Sequence, residues 1–221
     1  MVFAQSLPRR AFAAVLSLAL YGLAAQTGAQ APTTFAPLKI EGDVARGKVW
    51  AFTCAGCHGI PGYMNAYPEY NVPKLGGQNA DYIEVALQGY RAGTRHHQTM
   101  QAQAQTMSDQ DIADIAAYLS SLKGEGTEGM SDATAAEIQA GQQQSTTCAM
   151  CHGPAGIAEA PQWPNLAGQH ASYLEHALKQ YKSGTRSDVL MGPMVATLDE
   201  EALAAVAAYF ASLQGLHVTA P

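Results

Sequence analysis

The chain carries Cys54-Ala55-Gly56-Cys57-His58 and, 94 residues further on, Cys148-Ala149-Met150-Cys151-His152. Cys-x-x-Cys-His is the attachment pattern of a c-type haem. The two thiols add across the two vinyl groups of a porphyrin, and the single helical turn between them brings both sulfurs to one ring edge. The histidine that follows is carried under the iron as an axial ligand. All 4 cysteines of the chain fall in these two motifs. A redox disulfide of the thioredoxin kind also uses Cys-x-x-Cys, but it opens a helix after a buried strand. No apolar strand run precedes Cys54 or Cys148. A structural zinc site draws on pairs about 12–20 residues apart, and these pairs lie most of a domain apart. The motifs therefore imply two covalently bound haem c groups with one iron each, held by Cys54, Cys57 and His58 and by Cys148, Cys151 and His152.

Around the motifs the chain is duplicated. Pro73-Lys74-Leu75-Gly76-Gly77-Gln78 aligns with Pro164-Asn165-Leu166-Ala167-Gly168-Gln169 at an offset of 91. The same offset pairs Tyr82 with Tyr173, Tyr90 with Tyr181, Gly93-Thr94-Arg95 with Gly184-Thr185-Arg186, and Ala116-Ala117-Tyr118 with Ala207-Ala208-Tyr209. The first half thus has three extra residues between His58 and Pro73. Each unit has the length of a small domain rather than of a solenoid repeat. The expected organisation is a signal segment at 1–30, a first domain at 40–123, a glycine-rich polar linker at 124–132 and a second domain at 133–216.

The pattern within each half is helical, and almost no sheet is expected. Gly42 to Cys57 and Ala133 to Cys151 lead into the motifs as helices. Asn79 to Arg91 and His170 to Lys182 repeat apolar residues at helical spacing through Tyr82, Val85 and Ala86 and through Tyr173, Leu174 and Ala177. The last helices begin at the N-caps Ser108 and Asp199. They present Ile112, Ile115, Leu119 and Leu122 on one stripe and Leu203, Val206, Phe210 and Leu213 on the other, and each is expected to end at a glycine, Gly124 or Gly215. Gly42 to Lys48 imitates a phosphate loop but lacks the Ser or Thr and the preceding strand, so it reads as a helix start.

A haem iron held by one histidine needs a second axial donor or stays open. The offset of 91 pairs Met100 with Met191, each in a polar stretch that reads as irregular. Met64 and Met150 have no partner, Met194 falls opposite Gln103, and His96 and His97 fall opposite Ser187 and Asp188. Core filling is the ordinary role of a methionine, but the matched pair makes Met100 and Met191 the expected ligands. Met194 is the rival in the second half, and His96 or His97 in the first. Thioether sulfur favours ferrous iron and raises the potential. With both axial places filled by protein, the iron passes electrons and has no place for a substrate.

Arg9-Arg10 followed by the uncharged apolar run Ala11 to Ala25 and small residues near position 30 reads as a cleavable signal peptide. That places the expected chain in a Gram-negative periplasm. The run is short for a membrane span, and an uncleaved anchor is the alternative. The chain holds 12 Lys and Arg against 18 Asp and Glu, and loss of Arg9 and Arg10 leaves a net charge of −8. That balance excludes a nucleic-acid binder, which needs a basic face. It suits a partner with a basic patch as well as a merely acidic surface.

With these residues in place the chain resembles the class I cytochromes c, and specifically the dihaem cytochrome c4 family. The likeness spans about residues 42–215 and rests on the two Cys-x-x-Cys-His motifs, Pro-x-Leu-x-Gly-Gln, Tyr-x-x-Gly-Thr-Arg (Tyr90 to Arg95, Tyr181 to Arg186), and Met100 and Met191 before the last helices. It implies an all-α fold of two tandem class I cytochrome c domains, each a small helical bundle around one covalent haem, with propionate edges near the interdomain contact. It also implies a periplasmic electron shuttle. Its donor would be a quinol-oxidising complex or a dehydrogenase, its acceptor a terminal oxidase or reductase, and it would be free or peripheral to the membrane. Two departures are the Tyr- and Pro-rich loop Gly59 to Val72, and Met107, where the family more often has leucine. Arg95 and Arg186 are expected either on propionates or exposed in loops. Tyr70 and Trp163 are expected on the haem or in ordinary burial. The alternatives to a free carrier are a cytochrome subunit of a redox complex, such as one with a flavoprotein dehydrogenase, and a haem enzyme with an open iron site.

Overall fold

The computed structural model describes Met1, residues 35–123 and residues 131–219. The chain divides into Met1–Ala31 and Pro32–Pro221. The expected signal segment and Gly124, with most of the linker, lie outside the described residues, and every helix and strand described belongs to the second unit.

Five helices build the first half: α1 (Val44–Trp50), α2 (Phe52–His58), α3 (Ala80–Ala92), α4 (Gln98–Ala104) and α5 (Asp109–Ser121). Five build the second in the same order: α6 (Ala135–Gln144), α7 (Ala149–His152), α8 (Ala171–Ser183), α9 (Met191–Val195) and α10 (Glu200–Ser212). The strands among the described residues are β1 (Met64–Ala66) and β2 (Glu69–Asn71), an antiparallel hairpin with Met64 opposite Asn71. It lies in the longer loop of the first half.

In each half the first helix crosses the last at a glycine. A Cβ on Gly47 would collide with the Asp114 carbonyl, and one on Gly141 with the carbonyl of Ala205. Because 114 and 205 are related by 91 while 47 and 141 are related by 94, the crossing fixes the alignment of the repeats in space. The helices leading into the motifs are broken rather than continuous, which departs from the sequence expectation. The ladder opens at Ala51, with ψ −6°, and at the corresponding Ser145, with ψ 2°. At Ser145 the hydroxyl donates to the Gln142 carbonyl, a local bond that competes with the helix.

Ile112, Ile115 and Leu119 of α5 and Leu203, Val206 and Phe210 of α10 are buried as their spacing predicts. Around α5 they pack with Ala51, Ile83 and Leu87, and around α10 Val206 and Phe210 pack with Leu174, Ala207 and Tyr209. Ser108 caps α5 in a reciprocal box with Asp111, and Asp199 caps α10. These helices stop before any glycine, since Leu122 and Leu213 turn extended. Gly215 instead allows close approach to the Ala167 backbone. The left-handed glycine caps fall on α3 and α8, at Gly93 and Gly184, each with φ 75°. The stripe Tyr82, Val85 and Ala86 on α3 does not enter the core; Ile83 and Leu87 do, and the stripe lines a cavity.

Candidate haem sites

A cavity of about 850 Å³ runs through both halves and is lined by Cys54, Cys57, His58 and Met100 and by Cys148, Cys151, His152 and Met191. The structure brings every expected site residue to one space. None of the four cysteines is paired in a disulfide, so all four sulfurs are available for thioether bonds.

Each histidine is held by a proline carbonyl. His58 Nδ1 lies 2.6 Å from the Pro73 oxygen, and His152 Nδ1 lies 2.9 Å from the Pro164 oxygen. A carbonyl only accepts, so Nδ1 carries the proton and Nε2 keeps its lone pair for a metal. Burial lowers the pKa of both imidazoles and keeps them neutral, the form that ligates. This explains why Pro-x-Leu follows each motif, a role that the sequence marked by position but did not disclose.

Met100 sits in the first turn of α4 and Met191 opens α9, so the stretches read as irregular are short helices. His97, a rival ligand, has its Nδ1 turned to the Met100 backbone N–H at 3.2 Å and caps α4. His96 is exposed and does not line the cavity. Met194 lines the cavity with Met191 but is 41% exposed. These residues fit haem c: two sulfurs and an oriented imidazole in each half, with a thioether along the same cavity.

The two halves grip each other through the very motif that revealed the duplication. Gln78 Oε1 accepts from the Asn165 N–H at 2.8 Å, and Gln78 Nε2 donates to the Asn165 carbonyl at 3.0 Å. In reverse, Gln169 Oε1 accepts from the Lys74 N–H and Nε2 donates to the Lys74 carbonyl, both at 2.9 Å. The side chains of those two residues follow suit. Lys74 Nζ donates to the Gly168 carbonyl at 2.6 Å, and Asn165 Nδ2 donates to that of Gly77 at 3.0 Å. Position 74 maps to 165, 77 to 168 and 78 to 169, so this is a self-complementary contact with a local twofold inside one chain.

Beside it the arginines cross over. Arg95 Nη2 donates to the Tyr173 hydroxyl at 2.8 Å and Arg186 Nη2 to that of Tyr82 at 3.1 Å, while Arg95 Nη1 also reaches Tyr82 at 3.3 Å. Each guanidinium lies over a tyrosine of its own half, Tyr90 at 4.6 Å and Tyr181 at 4.5 Å. Burial alone would raise the Tyr82 pKa, but the two arginines beside its hydroxyl outweigh it and bring it down. The arginines are therefore half-buried interface residues that line the cavity, not exposed loop residues. Tyr70 is buried on the hairpin and stacks on His176 at 4.0 Å, and Trp163 lines the cavity.

The family described as cytochrome c matches this chain twice, over residues 44–123 and 138–214. A cytochrome c4 of Pseudomonas aeruginosa is 35% identical over 188 residues, covering 80% of this chain and 90% of the relative. A thiosulfate dehydrogenase electron acceptor of Stutzerimonas stutzeri is 33% identical over 175 residues, covering 74% and 80%. The crystal structure of reduced recombinant cytochrome c4 from Pseudomonas stutzeri superposes with a TM-score of 0.68 at 31% identity, covering 78% of this chain and 99% of that one. The chain belongs to the cytochrome c4 family, electron-transfer proteins with two tandem cytochrome c domains and two covalent haem c groups.

Proposed function

We propose that the chain shuttles electrons in the periplasm through two haems of His/Met ligation, His58 with Met100 and His152 with Met191, after removal of an N-terminal signal peptide. One observation carries this reading: the two imidazoles, each with Nε2 freed by a proline carbonyl, share a cavity with the two matched methionines. When bound, haem c supplies a one-electron iron couple. The chain's own residues hold it by two sulfurs, keep the imidazole neutral and aimed, and offer a soft thioether that favours the reduced state. Redox titration followed by optical and magnetic spectroscopy tests the reading. Two low-spin centres that bind carbon monoxide poorly are expected. A high-spin centre in either half would overturn the ligation and favour an enzyme with an open iron.

A second reading concerns the partner. Because a relative that shares a third of its residues is a thiosulfate dehydrogenase electron acceptor, an oxidoreductase of that class is a fitting electron donor. The wider reading takes a quinol-oxidising complex or a dehydrogenase as donor and a terminal oxidase or reductase as acceptor. Stoichiometric co-purification with a dehydrogenase would make the chain a subunit rather than a free carrier.

A further inference from the structure

The duplication gives the molecule an internal control. The common crossing at Gly47 and Gly141 sets α1 and α2 over α6 and α7. On that alignment Val49, Trp50 and Phe52 stand where the second half has Gln143, Gln144 and Thr146. The three apolar side chains are 76%, 51% and 73% exposed. Val49 and Trp50 close α1 and Phe52 opens α2, on either side of buried Ala51. α2 then carries Cys54 and Cys57 of the first haem motif, with Gly56 between them, where an added Cβ would meet nothing. The halves also differ in charge. Residues 35–123 carry 7 Lys and Arg against 8 Asp and Glu, a net −1, and residues 131–219 carry 3 against 8, a net −5.

We propose that the Val49–Trp50–Phe52 face is the docking surface for a redox partner protein whose own contact face is apolar and uncharged. The proposal rests on the electron-transfer role of the family and not on any named donor. Large aromatic rings offer about 150–250 Å² each, so two of them at these exposures, with Val49, present roughly 300–400 Å². A stable interface needs about 800 Å² per partner, and weak redox encounters sit well below that. The area therefore suits a transient complex and falls short of a dimer. Phe52 sits on α2, the helix that carries the first haem motif, where an electron carrier has use for a partner and a lipid surface has none to give.

The test replaces the face with the second half's own residues, Val49→Gln, Trp50→Gln and Phe52→Thr, in the haem-loaded protein. Stopped-flow reduction is then measured with two reductants: a reduced blue-copper protein whose copper edge is ringed by apolar residues, and hexacyanoferrate(II). With the copper protein the wild-type rate is expected to change little between low salt and about 0.5 M, since no charge pairs are screened. The triple variant is expected to lose roughly tenfold, as when aromatic anchors are removed. With hexacyanoferrate(II) the two proteins are expected to react alike. Equal rates with the copper protein, or a steep salt dependence of the wild type, would overturn the proposal. So would an equal loss with both reductants, which places the effect at the haem. A wild-type dimer in sedimentation, or binding to phospholipid vesicles, abolished by the same substitutions would assign the face to a second copy or to lipid instead.

Discussion

Truncating Gln78 or Gln169 to alanine tests the local twofold directly. Each glutamine carries three hydrogen bonds. Gln78 accepts from the Asn165 N–H across the interface and from Asn79 N–H at 2.9 Å, the position that starts α3, and donates to the Asn165 carbonyl. Gln169 repeats this with Lys74 and with His170 N–H at 3.0 Å. Both side chains are buried, at 4% and 3% exposure, so water does not replace what is lost. A net hydrogen bond is worth about 1 kcal/mol, and a buried backbone group left unmade costs about 1–3 kcal/mol. Two orphaned cross-interface groups then predict a loss of roughly 2–4 kcal/mol for either variant, a large part of a typical stability of about 5–15 kcal/mol. Guanidinium unfolding followed by far-ultraviolet dichroism and by haem absorbance measures this. The wild type is expected to unfold in one transition and each variant in two, because the bonds removed lie between domains rather than within one. The double variant is expected to lose less than the sum, since both glutamines support one contact. A loss below about 0.5 kcal/mol for either glutamine, or a single unchanged transition, would refute the clamp.

Replacing Met100 or Met191 with alanine is expected to turn one haem high-spin, lower its potential and open it to carbon monoxide while leaving the other unchanged, as read by spectroelectrochemistry. Gly47→Ala and Gly141→Ala each force a methyl group against the backbone of the last helix, and thermal unfolding is expected to show a loss of about 1–3 kcal/mol or more. Asp114, 1% exposed, accepts from Arg46 Nε at 2.7 Å and Nη2 at 3.0 Å, which holds its carboxyl well below the usual carboxylate range. Its folded pKa is depressed, so its contribution is full above the unfolded value of about 3.9 and is lost as pH falls toward the folded one. The acid limb of the stability curve is expected to flatten in Asp114→Asn, measured by unfolding between neutral pH and about pH 3.

The site was legible where chemistry forces a residue type. Thioether attachment to both vinyl groups draws on two cysteines one turn apart with a histidine beside them; the offset alone singled out the two methionines, which line the same cavity. The stripes of α5 and α10 were legible because they face an ordinary core. The stripe of α3 was legible as a helix but not as to what it faces, since a cavity for a large flat cofactor takes the same apolar residues as a core does. The glycine ends of α5 and α10 were misplaced because a glycine required for close backbone approach, as at Gly215, looks identical in sequence to one required for a left-handed cap. The break at Ala51 left no mark, since alanine is the best of helix formers, and at Ser145 the only sign was a serine whose hydroxyl can bond its own backbone.

The interface was the least legible part and is where the duplication has its physical meaning. Gln78 and Gln169 read as repeated residues, yet repetition does not say whether a residue serves its own half or the other. Geometry decides it: each glutamine binds the backbone at 165 or 74, and the arginines cross to Tyr173 and Tyr82. A contact of this kind ties the halves together through backbone, because Gln169 holds the N–H and carbonyl of residue 74 and Gln78 those of residue 165. Side chains can diverge there only if the backbone bonds survive, and lysine at 74 against asparagine at 165 meets that condition, each donating to a carbonyl of the opposite half. Away from the interface no such tie exists. There the halves part: at the crossing of the first and last helices a buried Asp114 paired with Arg46 in one domain stands where the other has Ala205.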